Sequence, residues 1–169
     1  MWKLAGVFAA GVIAIPILVL LIAELGYWPS DATSEPPQWE TAIASRALQA
    51  SIERQAPKVK SLLAADTLTI LAGMKIYRND CAGCHGLARL KALYGLAAYP
   101  RVPQFGRQPP TLTDYQAYWV IKNGIRYSGM AGFHGQTSEM DMWRTAEFVS
   151  HLRDPSPEIR SAWKNLKMQ

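Results

Sequence analysis

The sequence predicts an all-α protein with one N-terminal transmembrane helix followed by a small helical domain. Residues 4–23 carry no charged side chain, and later segments repeat apolar residues at helical spacing. The alternation of strands and helices that is typical of an α/β fold is absent. We divide the chain into an anchor (1–28), a linker with an additional helix (29–65), the helical domain (66–153) and a C-terminal extension (154–169).

The first segment, residues 4–23, is 20 residues long. As a helix it would measure ~30 Å, the thickness of the hydrocarbon core of a bilayer. Residues typical of membrane interfaces flank it: Trp2, Lys3, Tyr27 and Trp28. A cleaved signal peptide would need a cleavage site that residues 24–28 do not provide. We therefore expect an uncleaved single-pass anchor in the cell inner membrane. Lys3 would keep the N-terminus in the cytoplasm, which leaves the helical domain in the periplasm.

Small residues recur every four positions in this segment, at Gly6, Ala10 and Ala14. Such a stripe lets a second helix approach closely, so we expect the N-terminal helix to contact a membrane protein complex. Alternatively, the stripe reflects only the usual alanine and glycine content of membrane helices. The proline-bearing linker, Pro29 to Gln38, would then let the domain swing freely on its anchor.

Two helices are expected between the linker and residue 80. The first is alanine-rich, spans 39–56 and ends before Pro57. The second is capped by Asp66 or Thr67 and runs to about Asn79. Its buried face carries five residues at helical spacing, Ile70, Gly73, Met74, Tyr77 and Cys81. Gly73 on that face permits the close approach of another helix.

Residues 87–110 lack periodicity and predict a loop. Thr113 and Gln116 form a capping box that opens a helix ending at Asn123-Gly124. A glycine-rich loop follows, and Ser138 opens the last predicted helix, which runs to about Arg153. Its apolar stripe, Met142, Ala146, Val149 and Leu152, can cross the earlier helix at Gly73. Arg144, Glu147 and His151 are expected on its polar face.

Residues 81–85 read C-x-x-C-H, a motif for covalent haem attachment. This spacing lets both sulfurs reach one edge of a porphyrin, and the following histidine coordinates the iron. A redox dithiol would need strands and helices in alternation around it. A zinc site would need further ligands, whereas this chain has two cysteines in all. We therefore predict one covalent haem c at Cys81, Cys84 and His85.

A six-coordinate haem needs a second axial ligand opposite His85. The candidates are Met130, Met140, Met142, His134 and His151. Met130 is favoured because it lies in an irregular loop that can direct a thioether at the iron, which would raise the reduction potential. Met142 lies on an apolar helix stripe and is more typical of core packing. His134 is near enough in sequence to compete, and would give a bis-histidine haem of lower potential.

The net charge of the chain is +5, and the excess of positive charge lies after the anchor. From Trp39 onward the sequence contains 17 Lys and Arg and 10 Asp and Glu, a net charge of +7. A basic surface can steer an acidic partner, although an ordinary solvated surface is the alternative. The sequence contains no nucleic-acid-binding motif, so we expect no nucleic-acid partner. The basic residues near the C-terminus, Arg153, Arg160, Lys164 and Lys167, suit either a docking patch or a solubilising tail.

Residues 66–152 resemble a class I cytochrome c of the membrane-anchored bacterial monohaem type. The shared features are the helix before the C-x-x-C-H motif, the proline-bearing loop, Asn123-Gly124, Gly129-Met130 and an aromatic last helix. The resemblance implies a small helical class I cytochrome c domain with Cys81 and Cys84 as thioether attachments. It implies His85 and Met130 as the proximal and distal ligands. It also implies that a loop proline carbonyl holds the proximal imidazole, and Pro100, Pro103 and Pro109 all remain candidates.

From these features we expect an electron carrier and not an enzyme. It would be a subunit of a respiratory or photosynthetic electron-transport complex and would exchange single electrons with a redox partner protein at its haem domain. A free tethered shuttle is one alternative. A haem sensor or enzyme, from which Met130 is displaced, is another. No acid–base or nucleophilic constellation is visible in the sequence.

Overall fold

The computed structural model describes residues 2–59, 61 and 63–168, apart from the side chains of residues 3–5, 7 and 9. Over this part of the chain it contains eight helices and no strand, so the all-α prediction is confirmed. The helices are α1 (Trp2–Glu24), α2 (Gln38–Gln55), α3 (Thr67–Asp80), α4 (Ala82–His85), α5 (Leu93–Ala97), α6 (Asp114–Asn123), α7 (Glu139–His151) and α8 (Pro157–Asn165).

The chain divides into two compact units, one up to Ser34 and one from Glu35 onward. The first unit contains α1. Among the described residues, no helix combines the length and the apolar character needed to cross a membrane. The predictions of a transmembrane helix in the anchor segment, 1–28, and of a single-pass location in the inner membrane are therefore wrong.

A helical span needs about 20 consecutive apolar residues. The prediction inferred such a span from the uncharged stretch 4–23, and the described residues contain no helix that meets this requirement. Residue 1 and the side chain of Lys3, on which the predicted orientation depended, lie outside the described residues.

Side-chain caps set the starts of three helices in the second unit. Asp66 accepts a hydrogen bond from the backbone N–H of Thr69 at 2.8 Å and begins α3. Thr113 and Gln116 form the reciprocal capping box that begins α6. Ser138 accepts from a backbone N–H in the first turn of α7 at 3.1 Å. These caps confirm predictions that rested on local sequence alone.

The core of the second unit forms where α3 crosses α7. Gly73 lies at the crossing, as predicted: a Cβ added there would overlap the backbone carbonyl of Arg144 and lie 3.1 Å from the Cβ of Phe148. On either side of the crossing, Tyr77 and Phe148 are fully buried and Met142 is 1 % exposed. The absence of a side chain at position 73 therefore sets the separation of the two helices.

Helix α8 lies in the C-terminal extension, residues 154–169, where no helix was predicted from the sequence. Ser156 caps it by accepting from the N–H of Ile159 at 3.3 Å, and a proline occupies its first turn. Trp163 is buried edge-to-face against Tyr77 and Phe148, with ring centroids 5.5 and 5.4 Å away. The helix thus closes the core on the side of α3.

The prediction that Glu147 lies on an exposed polar face of α7 is wrong. Glu147 is 3 % exposed, although the sequence places it beside Arg144 and His151. The reason is that residues before α3, among them Ser61 and Leu63, lie against this side of α7 beside Glu147. Burial raises the pKa of Glu147 above its usual value, and Asp114 adds to the rise.

We expect Gly73→Ala to lower the free energy of unfolding by about 1–3 kcal/mol, because a methyl group at the crossing forces α3 and α7 apart. Gly83→Ala is the matched control, since a Cβ at that helical position meets no atom within 4 Å. Denaturant unfolding of the haem-loaded protein measures both. Equal effects of the two substitutions would contradict the close crossing.

Candidate functional site

The two cysteines and the histidine of the motif lie on one helical turn at the end of α3. The N–H of Cys81 donates to the carbonyl of Tyr77 at 2.9 Å. The N–H groups of Cys84 and His85 both donate to the carbonyl of Cys81, at 3.1 and 2.9 Å. Both thiols are half-buried. The structure therefore brings together the three residues that the motif predicts as haem attachments and proximal ligand.

The environment of Cys81 keeps its free thiol neutral. Burial, followed by the negative charge of Asp80 and the proximity of Cys84, raises the pKa of Cys81 to about 12. A neutral, half-buried thiol at the end of a packed helix suits a group that is converted to a thioether, since a thioether carries no charge. This is the form in which the side chain would meet an apolar porphyrin edge.

The chain turns sharply after the motif, at Gly86, which has φ +71°. A Cβ there would lie 2.5 Å from the carbonyl oxygen of Leu90 and 2.8 Å from Oε1 of Gln104, so the position requires glycine. The buried Tyr77 hydroxyl donates to the Gly86 carbonyl at 2.7 Å. Burial raises the pKa of Tyr77, so this hydroxyl remains a donor. The hydrogen bond ties the turn to the core.

The imidazole of His85 is oriented by the loop that follows. Its Nδ1 lies 3.0 Å from the carbonyl oxygen of Pro103, and since a carbonyl only accepts, Nδ1 carries the proton. Of the three prolines that the sequence left open, Pro103 therefore makes this contact. Burial lowers the pKa of His85, which favours the neutral ring. With Nδ1 engaged, Nε2 remains as the nitrogen with a lone pair for a metal.

Phe105 adds a second constraint on the same side chain. Its ring stacks on the His85 ring with centroids 4.3 Å apart, and its N–H donates to the His85 carbonyl at 3.0 Å. Tyr77 stacks in turn on Phe105 at 6.0 Å. The histidine is thus held by a hydrogen bond at one ring atom and by aromatic packing on one face.

Met130 lies in a loop that folds back on the C-terminal end of α6. The helix ends at Gly124, with φ +68°, and the N–H of Ile125 donates to the Met130 carbonyl at 2.9 Å. The Ser128 hydroxyl accepts from the Met130 N–H at 3.1 Å, and the N–H of Phe133 donates to Ile121 at 3.0 Å. Met130 itself is half-buried. Its position is therefore defined by hydrogen bonds inside residues 121–133.

The other ligand candidates occupy different surroundings. Met142 is 1 % exposed in the core, which confirms its interpretation as core packing. Met140 is 52 % exposed on the first turn of α7, and His134 is exposed. The half-buried His151 forms a hydrogen bond within its own helix, with Nδ1 at 2.7 Å from the carbonyl oxygen of Glu147. Met130 is the candidate that combines partial burial with a side chain on an irregular loop.

These residues fit a haem c. A haem c requires two thiols for attachment and two ligands for its iron. The structure offers two half-buried thiols, an imidazole with Nε2 available and a thioether on a separate loop. Three supporting groups were not predicted from the sequence: the Gln104 side chain, the Phe105 ring and the Tyr77 hydroxyl. Side-chain periodicity carries no signal for Gln104 and Phe105, because both lie in an aperiodic loop.

We expect Gly124→Ala to disorder the Met130 loop, because an added Cβ at positive φ would lie 2.6 Å from both the Met130 carbonyl oxygen and the Gly132 nitrogen. Gly135→Ala is the matched control: φ is +80° there, but a Cβ meets no atom within 4 Å. Amide hydrogen exchange measures this effect. We expect the protection factor of the Ile125 N–H to fall at least tenfold (about 1.4 kcal/mol) in the Gly124 variant alone. Similar exchange in both variants would contradict the assigned packing.

One comparison with known proteins finds a relationship. Residues 69–149 match the family model described as cytochrome c oxidase, cbb3-type, subunit III. The match covers a little under half of the chain and includes both the C-x-x-C-H turn and the Met130 loop. No curated protein and no solved structure matches the chain. Taken with the helical fold and the attachment turn, the family match identifies this part of the chain as a c-type cytochrome domain, which binds haem c covalently and serves electron transfer.

Proposed function

We propose that the domain holds one low-spin haem c between His85 and Met130 and passes single electrons as the cytochrome subunit of an oxidase-type respiratory complex. The observation that carries the proposal is the hydrogen bond from Nδ1 of His85 to the Pro103 carbonyl. It fixes the tautomer in which Nε2 can coordinate a metal, and partners of this kind raise the basicity of a ligating imidazole.

The arrangement of the Met130 loop supports methionine as the second ligand. The loop is closed by the hydrogen bonds from Ile125 to Met130 and from Met130 to Ser128, so the backbone at the thioether has a defined path. Tyr127, at the apex of this turn, has φ +60° and is 91 % exposed. The Ser128 hydroxyl donates to the Ile125 carbonyl at 2.7 Å and closes the turn around this left-handed residue, which fits a loop shaped to present Met130.

Closed coordination favours electron transfer over catalysis or gas sensing. A haem held by the His85 imidazole and the Met130 thioether would supply a one-electron couple and would have no coordination position left for a substrate. The chain's own contribution is to hold both side chains on short, hydrogen-bonded segments. A sensor or enzyme would instead need the Met130 segment to move away.

The description of the matched family supports the placement in an oxidase-type complex. The net positive charge of the second unit would steer an acidic redox partner to the haem domain. We assign the contact with the rest of the complex to α1, whose large apolar side chains are exposed: Phe8, Val12, Ile13, Ile15, Ile17, Leu18, Val19, Leu20 and Leu21. Exposed apolar surface of this extent is typical of a protein interaction site.

We expect Met130→Ala to abolish the methionine-to-ferric charge-transfer band, to lower the reduction potential and to let the reduced protein bind carbon monoxide, because the variant lacks the thioether. Met140→Ala removes an exposed methionine and should leave all three properties unchanged. Visible spectroscopy and redox titration of the purified proteins measure these effects. Carbon monoxide binding by the unaltered protein would favour the sensor or enzyme alternative.

We expect the full-length protein, purified under native conditions from its source, to elute with other oxidase subunits. Leu20→Gln should reduce that association at least tenfold, because it places a polar group on the apolar surface of α1, while the haem spectrum stays unchanged. Leu68→Gln, at a leucine of α3 that is 78 % exposed, is the control. Elution of the unaltered protein as a monomer, or equal loss in both variants, would contradict the proposed contact.

A further inference from the structure

We propose that Gln104 is a positioning residue whose side-chain amide holds the haem-attachment turn against the loop that carries the Pro103 carbonyl. It thereby sets the hydrogen bond on His85 and, through it, the reduction potential. This inference rests on the proposed function, in which His85 ligates the iron. Gln104 would not touch the haem and acts through the imidazole alone.

The side chain of Gln104 connects its own loop to two other segments of the chain. Its Oε1 accepts from the N–H of Ala92 at 2.8 Å, just before α5. Its Nε2 donates to the carbonyl of Cys84 at 2.9 Å and to that of Val102 at 3.1 Å. Both amide hydrogens are therefore used, and one of them reaches the attachment motif itself. Gln104 is 8 % exposed, so water does not replace these bonds.

The space around this amide is closed. A Cβ added at Gly86 would lie 2.8 Å from Oε1 of Gln104, and one added at Gly95 would lie 2.9 Å from Nε2. Two glycines thus leave room for one glutamine side chain. A close-packed site of this kind holds its occupant in one orientation, which is what a positioning role requires.

The neighbours of Gln104 on both sides contact the same histidine. The Pro103 carbonyl accepts from Nδ1 of His85, and the Phe105 N–H donates to the His85 carbonyl. Proline has no N–H, so the bond from Gln104 to Cys84 and the bond from Phe105 secure this loop segment to the turn. Without the Gln104 amide, residue 103 is held to the motif on one side only.

The hydrogen bond from Nδ1 of His85 to the Pro103 carbonyl affects the metal through the imidazole. A strong bond from Nδ1 to a carbonyl makes the imidazole a better electron donor and favours the oxidised metal. A loosened loop lengthens this bond. We therefore expect a more positive reduction potential and faster solvent exchange of the Nδ1 proton when the amide is lost.

The test compares Gln104→Met with Gln108→Met in the haem-loaded, full-length protein. Methionine matches the length of glutamine without its hydrogen bonds, and Gln108 is an exposed glutamine on the same loop. We expect the His85 Nδ1 proton, followed by nuclear magnetic resonance, to exchange at least tenfold faster in the Gln104 variant alone, with a positive shift of the potential. Unchanged exchange and potential in Gln104→Met would overturn the inference.

A second measurement, on the unaltered protein, applies even if Gln104→Met does not fold. The side-chain NH₂ of Gln104 and the N–H of Ala92 should exchange at least tenfold more slowly than the side-chain NH₂ of Gln108, and equal rates would refute the positioning role. The same spectra separate this inference from the function on which it rests. A His85 ring signal without any paramagnetic shift in the oxidised protein shows that the ligation is wrong, whatever Gln104 does.

Discussion

The close crossing of α3 and α7 at Gly73 is the constraint on which the rest of this domain depends. It aligns one face of α3 with the core, so that Tyr77 follows one turn later and Cys81 a further turn on. Tyr77 then anchors the turn after the motif through its hydroxyl, while Trp163 packs on its ring from the other side. The attachment motif is thus positioned by helix packing, although its residues lie in a short turn.

The two halves of the candidate site are built in different ways. The histidine side uses a segment of three residues, in which Pro103, Gln104 and Phe105 each bind the motif by a different group. The methionine side uses one loop that hydrogen-bonds to the end of its own preceding helix. In the proposed function this difference is useful, because the imidazole and the thioether are then tuned by separate parts of the chain.

Sequence reasoning succeeded where the information was local. The caps at Asp66, Thr113 and Ser138 follow from residues three positions apart, and Gly73 stands out on an otherwise apolar face. The attachment motif is likewise a contiguous signal. The role of Met130 as a ligand stays a prediction.

The failures came from information that a local pattern does not contain. The selection of Pro103 among three prolines depends on how the loop packs on the turn. Glu147 was misplaced because a residue's charge does not reveal which segment covers it. The transmembrane assignment rested on composition, and no helix among the described residues is both long and apolar enough to cross a membrane. Helix α8 does carry a local signal that went unused: Ser156 precedes a proline, and Ile159 and Trp163 lie four residues apart.

The short sequence separations on the histidine side have a consequence for assembly. The contacts from Pro103 to His85 and from Gln104 to Cys84 span 18 and 20 residues. Loops of this size close at a modest entropic cost, and local contacts form early in folding. A nascent chain can therefore close this loop onto the attachment turn through contacts that do not involve α6 or α7. The packing of α3 on α7 then fixes the position of that turn against the core.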